Sequence, residues 1–225
     1  TINAIAYHPL RHEWRDPFGG RHDLEARVLR AVGDPATRFA EDYLRVLRGL
    51  RFAGRYGLEI EPATWAAMRA AAPRCTVLSG ERVREELLKV MADPRPSRAL
   101  DLYRRASVLA SLYPEMAVSD EAWPVLLRAV DALGRHHPFL RAVAWFHGVP
   151  SPDALEAMMR RLRFSNAEIA RARHLVGALR RSLPEPGDGP GIRRWLHAVG
   201  RDAVRDVLRL HGAFARARGI PDERR

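Results

Sequence analysis

From Pro35 to Arg218, apolar residues recur at helical spacing, and prolines, glycines and capping serines divide the pattern at short intervals. A chain punctuated this way buries its apolar positions best as a series of short helices. Pro35 suits a first helical turn and Gly57 a stop after Tyr56. The pattern predicts one helix over Phe39–Tyr56, a second over Thr64–Ala71 and a third over Glu81–Met91 capped by Ser79. One or two helices follow in Ser97–Leu112, then Asp120–Arg135, Phe139–His147, Ser151–Arg163 and Asn166–Arg181. Leu183–Gly191 reads as a linker, with Ile192–Val199 and Asp202–Arg218 as closing helices.

Strand is expected only before Pro35. TINAIAY (1–7) alternates like a buried strand or the start of a helix, and Val28–Val32 reads as a strand. Asp16–Gly20 is a turn, and Asp23–Arg27 a short helical turn. The expected fold is mainly α: about ten helices after a small α/β portion. An opening without a cap suggests a domain that has lost its beginning.

The formal net charge is +11 and the pI about 11.0. Lys89 is the only lysine, so arginine carries the excess. That charge suits a polyanionic partner, and genome base composition can impose it too. The single cysteine, Cys75, rules out an internal disulfide framework and a cysteine zinc site, and fits a reducing compartment. No stretch approaches the roughly 20 apolar residues of a membrane span, and the first residues do not form a signal peptide. A cytoplasmic location is expected.

The stretch FAEDYLRVLRGLRFAGRY (39–56) carries the chemistry. Glu41 and Asp42 precede arginines at 45, 48, 51 and 55. On one helix Asp42 and Arg45 occupy neighbouring faces and can reach one ligand. Aspartate offers acceptors and arginine a planar fork of donors, the complement of the pairing edge of cytosine or adenine. Guanine and uracil place a carbonyl where aspartate needs an amino group. Such readout discriminates by roughly 1–3 kcal/mol per pair. The same spacing also describes a surface ion pair worth little. Steps of three advance about 300°, so Arg48 can share a site with Arg45, whereas Arg51 points nearly opposite Asp42. The scattered histidines show no metal-ligand spacing and read as surface or satisfied side chains. No P-loop and no serine or cysteine nucleophile motif is present.

Taken in order, several motifs resemble the bacterial tRNA CCA-adding nucleotidyltransferases and the related class II bacterial poly(A) polymerases. TINAIAY (1–7) looks like the end of that family's second motif, and DPFGGRHDLEARVLRAVGDP (16–35) like the hinge between its head and neck. EDYLRVLRGLRF (41–52) matches the EDxxRxxRxxRF helix at every marked position. SGERVREELLKVM (79–91) resembles the next motif, ERIxxELxK, and ALDLYRRASVLASLYPEM (99–116) the end of the neck. RLRFSN (161–166) is a weaker echo.

The resemblance implies a protein template. Asp42 and Arg45 would read the base of incoming ATP or CTP, Arg48 and Arg51 would add nucleotide contacts, and Glu41 would orient the pair. A head domain would hold Mg²⁺ on an Asp-x-Asp pair, and tRNA would lie along the helical portions. The implied division is head remnant and hinge (1–34), neck with template helix and RNA-binding region (35–115), body (116–182) and tail (183–225). No Asp-x-Asp or Gly-Gly-x-x-Arg-Asp occurs here, so no catalytic or metal residue is assigned, and the chain alone is expected to be inactive. In RAVAWFHGV (141–149), Gly148 stands where the aspartate of an HD metal site would be. The alternatives left open are a poly(A) polymerase, an enzyme adding only A or only CC, and a noncatalytic helical RNA-binding protein.

Overall fold

A computed structural model describes residues 2–220. Thr1, which opens the TINAIAY stretch, and positions 221–225, the end of the expected tail, lie outside the described residues.

The chain begins with a 3₁₀ turn, Ile2–Ala4, and an antiparallel hairpin of β1 (Ala6–His8) and β2 (Glu13–Arg15), with Tyr7 opposite Trp14. Most of the hairpin's side chains are exposed, so the first stretch divides into a 3₁₀ turn and a short exposed strand where its alternation suggested a buried strand or the start of a helix. Helix α1 (Gly20–Glu25) follows, with the Asp16 carboxylate accepting from the N–H groups of Gly20 (2.6 Å) and Arg21 (2.8 Å). The strand expected over Val28–Val32 shrinks to β3, Val28–Leu29.

Then come α2 (Pro35–Glu41), α3 (Leu44–Tyr56), β4 (Glu59–Ile60) and α4 (Pro62–Ala71). Asp34 caps α2 by accepting from Thr37 N–H, with Pro35 in the first turn. Gly57 ends α3 at φ 62°, a conformation glycine adopts without steric cost. The chain then turns to place β4 parallel to β3, Leu29 opposite Ile60. A two-residue strand has no periodicity to read, and β4 was not anticipated.

A 3₁₀ segment (Ala72–Val77) leads to α5 (Gly80–Ala92), α6 (Pro96–Arg105) and α7 (Val108–Leu112). Ser107, at φ 63°, separates the last two. Next are α8 (Ala122–Asp131), α9 (Pro138–Phe146), α10 (Pro152–Arg161) and α11 (Asn166–Leu179). Ser151 caps α10, and Ser165 with Glu168 forms a capping box on α11, as the serine punctuation predicted. Helix α12 (Gly189–Val199) starts inside the expected linker because Asp188 caps it, and α13 (Arg201–Ala217) is the last helix among the described residues. The mainly α expectation holds.

The chain divides into two compact units: residues 1–86 with 98–113, and residues 87–97 with 114–225. In the first, Val46, Leu47, Leu50 and Ala53 of α3 are buried with Met68, Val83, Leu100 and Tyr103. Gly54 lets α3 approach α6 closely: a Cβ there would lie 2.6 Å from the Ala99 backbone nitrogen. In the second, Trp123, Val143, Trp145, Phe146, Met158 and Leu175 are buried. Arg141 is also buried there, and its guanidinium donates to the carbonyls of Leu133 (2.8 Å), Met91 (2.8 Å) and Asp93 (2.7 Å). It satisfies acceptors that would otherwise be stranded in the interior. Gly148 is packed closely: a Cβ there would meet Val118 Cγ2 at 2.5 Å and Met116 Cε at 2.8 Å, so a larger residue would require these side chains to shift.

Candidate nucleotide-reading corner

The helix expected over Phe39–Tyr56 is two helices, and the break falls at Asp42. Its backbone is extended (φ −159°, ψ 106°), and it ends α2. Its Oδ1 accepts from Leu44 N–H (3.0 Å) and its carbonyl accepts from Arg45 N–H (3.0 Å). A short acidic side chain that caps the following amides competes with continuing the helix. Asp42 is therefore the pivot of a corner, and the continuous-helix geometry expected for Asp42 and Arg45 is corrected to this arrangement.

Each member of the pair is held by a different partner of opposite charge. Asp42 Oδ2 accepts from Arg82 of α5 at 2.8 Å. Arg45 donates to the Glu41 carboxylate and to the Arg38 carbonyl (2.8 Å). Glu41 also accepts from Arg38 at 2.7 Å, which places its carboxylate between two guanidinium groups. Asp42 and Arg45 do not neutralise each other, and both remain partly exposed. Desolvation pushes the Asp42 carboxyl pKa up, but the Arg82 hydrogen bond, the Leu44 N–H and the charges of Arg82 and Arg45 outweigh it, so the net shift is downward. The Arg45 hydrogen bond likewise lowers that of Glu41. Both carboxyls are anionic at neutral pH.

Beside the corner is a cleft of about 250 Å³. Arg30, Arg38, Arg45 and Arg48 supply its charge, and Phe39, Gly49, Phe52 and Met68 its apolar surface. Gly49 keeps it open at the base, since a Cβ there would collide with Met68 Cε at 2.4 Å. Arg48 is exposed and has no hydrogen-bond or ion-pair partner among the described residues. Asp42 does not line this cleft and faces Arg82 instead.

Arg51 is placed elsewhere. It is 8% exposed, and its Nε donates to Glu86 Oε2 at 2.9 Å in a buried ion pair between α3 and α5. Its guanidinium also lies 4.5 Å from the Phe52 ring centroid. With its Nε committed to Glu86 and its side chain buried, Arg51 holds α3 to α5, and a nucleotide contact by it remains an expectation from the resemblance. Arg38 and Arg82 had not been singled out. Their only sequence signals were the Arg three residues before Glu41 and the Glu81–Arg82 start of the following motif.

Among the described residues no group of three histidine, cysteine, aspartate or glutamate side chains could hold a metal ion. These residues do not form a magnesium site, and the corner offers recognition by hydrogen bonds and charge.

Comparison with known proteins supports the resemblance drawn from the sequence. A family profile described as "Probable RNA and SrmB- binding site of polymerase A" matches residues 57–119. The chain is 37% identical over 149 residues to the CCA-adding enzyme of Leuconostoc mesenteroides subsp. mesenteroides, covering 65% of this chain and 35% of that protein. It is 40% identical over 143 residues to the multifunctional CCA protein of Methylococcus capsulatus, covering 61% of this chain and 31% of that one. The chain thus spans about a third of the length of these relatives. The crystal structure of the Bacillus stearothermophilus CCA-adding enzyme in complex with CTP superposes with a TM-score of 0.76 at 28% identity, covering 98% of this chain and 53% of that one. A CCA-adding enzyme solved with ATP shares the fold, with a TM-score of 0.68 at 20% identity, over 96% of this chain and 55% of that one.

Proposed function

We propose that this chain is the nucleotide-selecting and tRNA-binding portion of a bacterial CCA-adding nucleotidyltransferase. The observation that carries the reading is the corner at Asp42, where the pair is held apart by Arg82 on one side and Glu41 on the other. An acceptor and a fork of donors stay available to a third party. Asp42 accepts from the exocyclic amino group of cytosine or adenine, and Arg45 donates to the adjacent ring acceptor. Glu41 and Arg82 position the two, and Arg48, which has no partner of its own among the described residues, meets the remainder of the nucleotide. Arg51 acts through α3 by fixing it to α5. On this reading residues 1–34 are the remnant of the head and its hinge, 35–115 the neck, 116–182 the body and 183–225 the tail. The RNA partner is supported by the profile matched over 57–119 and by the charge of +11.

Joining the nucleotide to RNA requires carboxylates that the described residues do not bring together. The proposal is that the chain alone is inactive, that magnesium is held by a head domain, and that the protein works in the cytoplasm. The matched profile refers to polymerase A, so a poly(A) polymerase is the second reading, and incorporation of CTP separates the two.

The test is Asp42→Ala in a protein that joins this segment to its catalytic head, assayed on tRNA lacking its terminal residues. The preference for CTP over UTP should fall by ~10- to 100-fold, the loss of one well-made polar readout, with tRNA affinity little changed. Unaltered selectivity would sink the template role.

A further inference from the structure

The second compact unit contains a larger cavity, about 1200 Å³, between the α8–α9 turn, the end of α9, the end of α11 and α13. Among the described residues six arginines and three histidines line it, and no aspartate or glutamate does. Three of the arginines are engaged: Arg209 with Asp206 (3.3 Å), Arg216 with the Ala132 carbonyl (3.2 Å) and Arg180 with the Val149 carbonyl. Arg181 and Arg205 are exposed, and their side chains have no hydrogen-bond or ion-pair partner among the described residues. Arg218 lies against Phe214, 5.8 Å from the ring centroid.

The histidines record the resulting field. Burial, then Arg180, Arg218 and His211, hold the His147 pKa down at about 4. His147 and His211 are neutral at neutral pH, and His147 Nδ1 and His211 Nε2 have no hydrogen-bond partner among the described residues. His211 also has a hydrogen bond with the Ala178 backbone, and each half-buried ring has one buried nitrogen left over. Leu183, Leu208, Phe214 and Ile220 add an apolar part to the wall. Concave sites of this scale that combine apolar surface with a few convergent charged groups enclose small organic ions. An RNA strand is met instead by an exposed stripe of basic side chains along its backbone.

We propose that this cavity binds a compact polyphosphate, either bare or carried on a nucleoside, with the free guanidinium groups of Arg181 and Arg205 as its principal anchors. Guanidinium groups suit phosphate oxygens by charge and fork geometry. The site is separate from the Asp42 corner, which reads a base edge, and bare polyphosphate has no base to read.

The experiment is calorimetric titration of the 225-residue chain, at low salt, with tripolyphosphate and with ATP as probes, and in a third arm with tRNA. Saturable binding of tripolyphosphate is expected, weakened ~10-fold or more by Arg181→Ala/Arg205→Ala, since each lost charge-assisted bond is worth about one decade. Both side chains are exposed, and circular dichroism confirms that the variant is folded. Tighter binding of ATP than tripolyphosphate, equally sensitive to the double substitution, identifies the nucleoside-borne form. The proposal is overturned if neither probe saturates, or if the double substitution leaves both affinities unchanged. It is also overturned if the substitution weakens only the binding of tRNA, which would assign these arginines to the RNA.

Discussion

Asp42 has two carboxylate oxygens, and in this structure each has a partner: Leu44 N–H on one and Arg82 on the other. Each oxygen keeps a further lone pair, so a base that is to be read would share one of them with the partner already there. Arg82→Ala removes the strongest of the contacts that lower the Asp42 pKa. The carboxyl should then titrate at higher pH than in the parent chain, as followed by carboxyl carbon NMR. The sign is that of a depressed acid: its contribution to stability is present above the ordinary value of 3.8 and is lost as pH falls through the folded value. An unmoved titration would show that Arg82 does not hold Asp42 in solution. His147 gives a second pH signature. With a folded pKa of about 4 against 6.5, it stays neutral while the unfolded chain takes up a proton. Its contribution is complete above pH 6.5 and is lost as pH falls toward 4. The thermal midpoint of His147→Gln should therefore fall less steeply over that interval than that of the parent chain.

Helix α3 is aligned by what it does to its neighbours as much as by its own apolar side. Gly54 admits the α6 backbone, and Arg51 reaches Glu86 of α5. Removing one partner of a buried ion pair strands the other charge and costs about 3–5 kcal/mol, whereas replacing both by apolar residues is often near neutral. Arg51→Met and Glu86→Leu should each lower the unfolding free energy by roughly that amount, and the double variant should recover most of it. Denaturant titration of the four proteins completes the cycle. If Arg51→Met leaves stability intact and weakens nucleotide binding, the ligand-contact role is restored. The break between α2 and α3 has the same origin in local competition. Asp42 caps the new helix, and a helix-compatible sequence gives way to a corner.

Across the whole molecule, charge is the property that governs association. A net charge of +11 carried almost wholly by arginine releases many counterions on binding a polyanion. Affinity for tRNA should fall at least ~10-fold between about 50 and about 200 mM salt, measured by filter binding or anisotropy. A flat salt profile would make the arginine excess compositional only. No helix among the described residues is long and apolar enough to cross a membrane.

What the sequence determined by itself was local. Ser151, Ser165, Pro35 and Gly57 mark helix ends because a cap acts on amides within one turn. Ordered motifs from 1 to 116 identified the family resemblance and singled out Asp42 and Arg45, though as parts of one continuous helix. Gly148 was legible as a departure from the HD pattern, and its close packing against Val118 and Met116 emerges only in the fold. Tertiary structure alone decided the partners. Asp42 meets Arg82 across 40 positions and Arg51 meets Glu86 across 35. The cationic cavity gathers residues from 132 to 220, and β3 pairs with a two-residue β4 that carries no periodic signal. Spacing tells which faces a helix presents. Only the fold decides which charge each face meets, because that depends on helices brought together from distant parts of the chain.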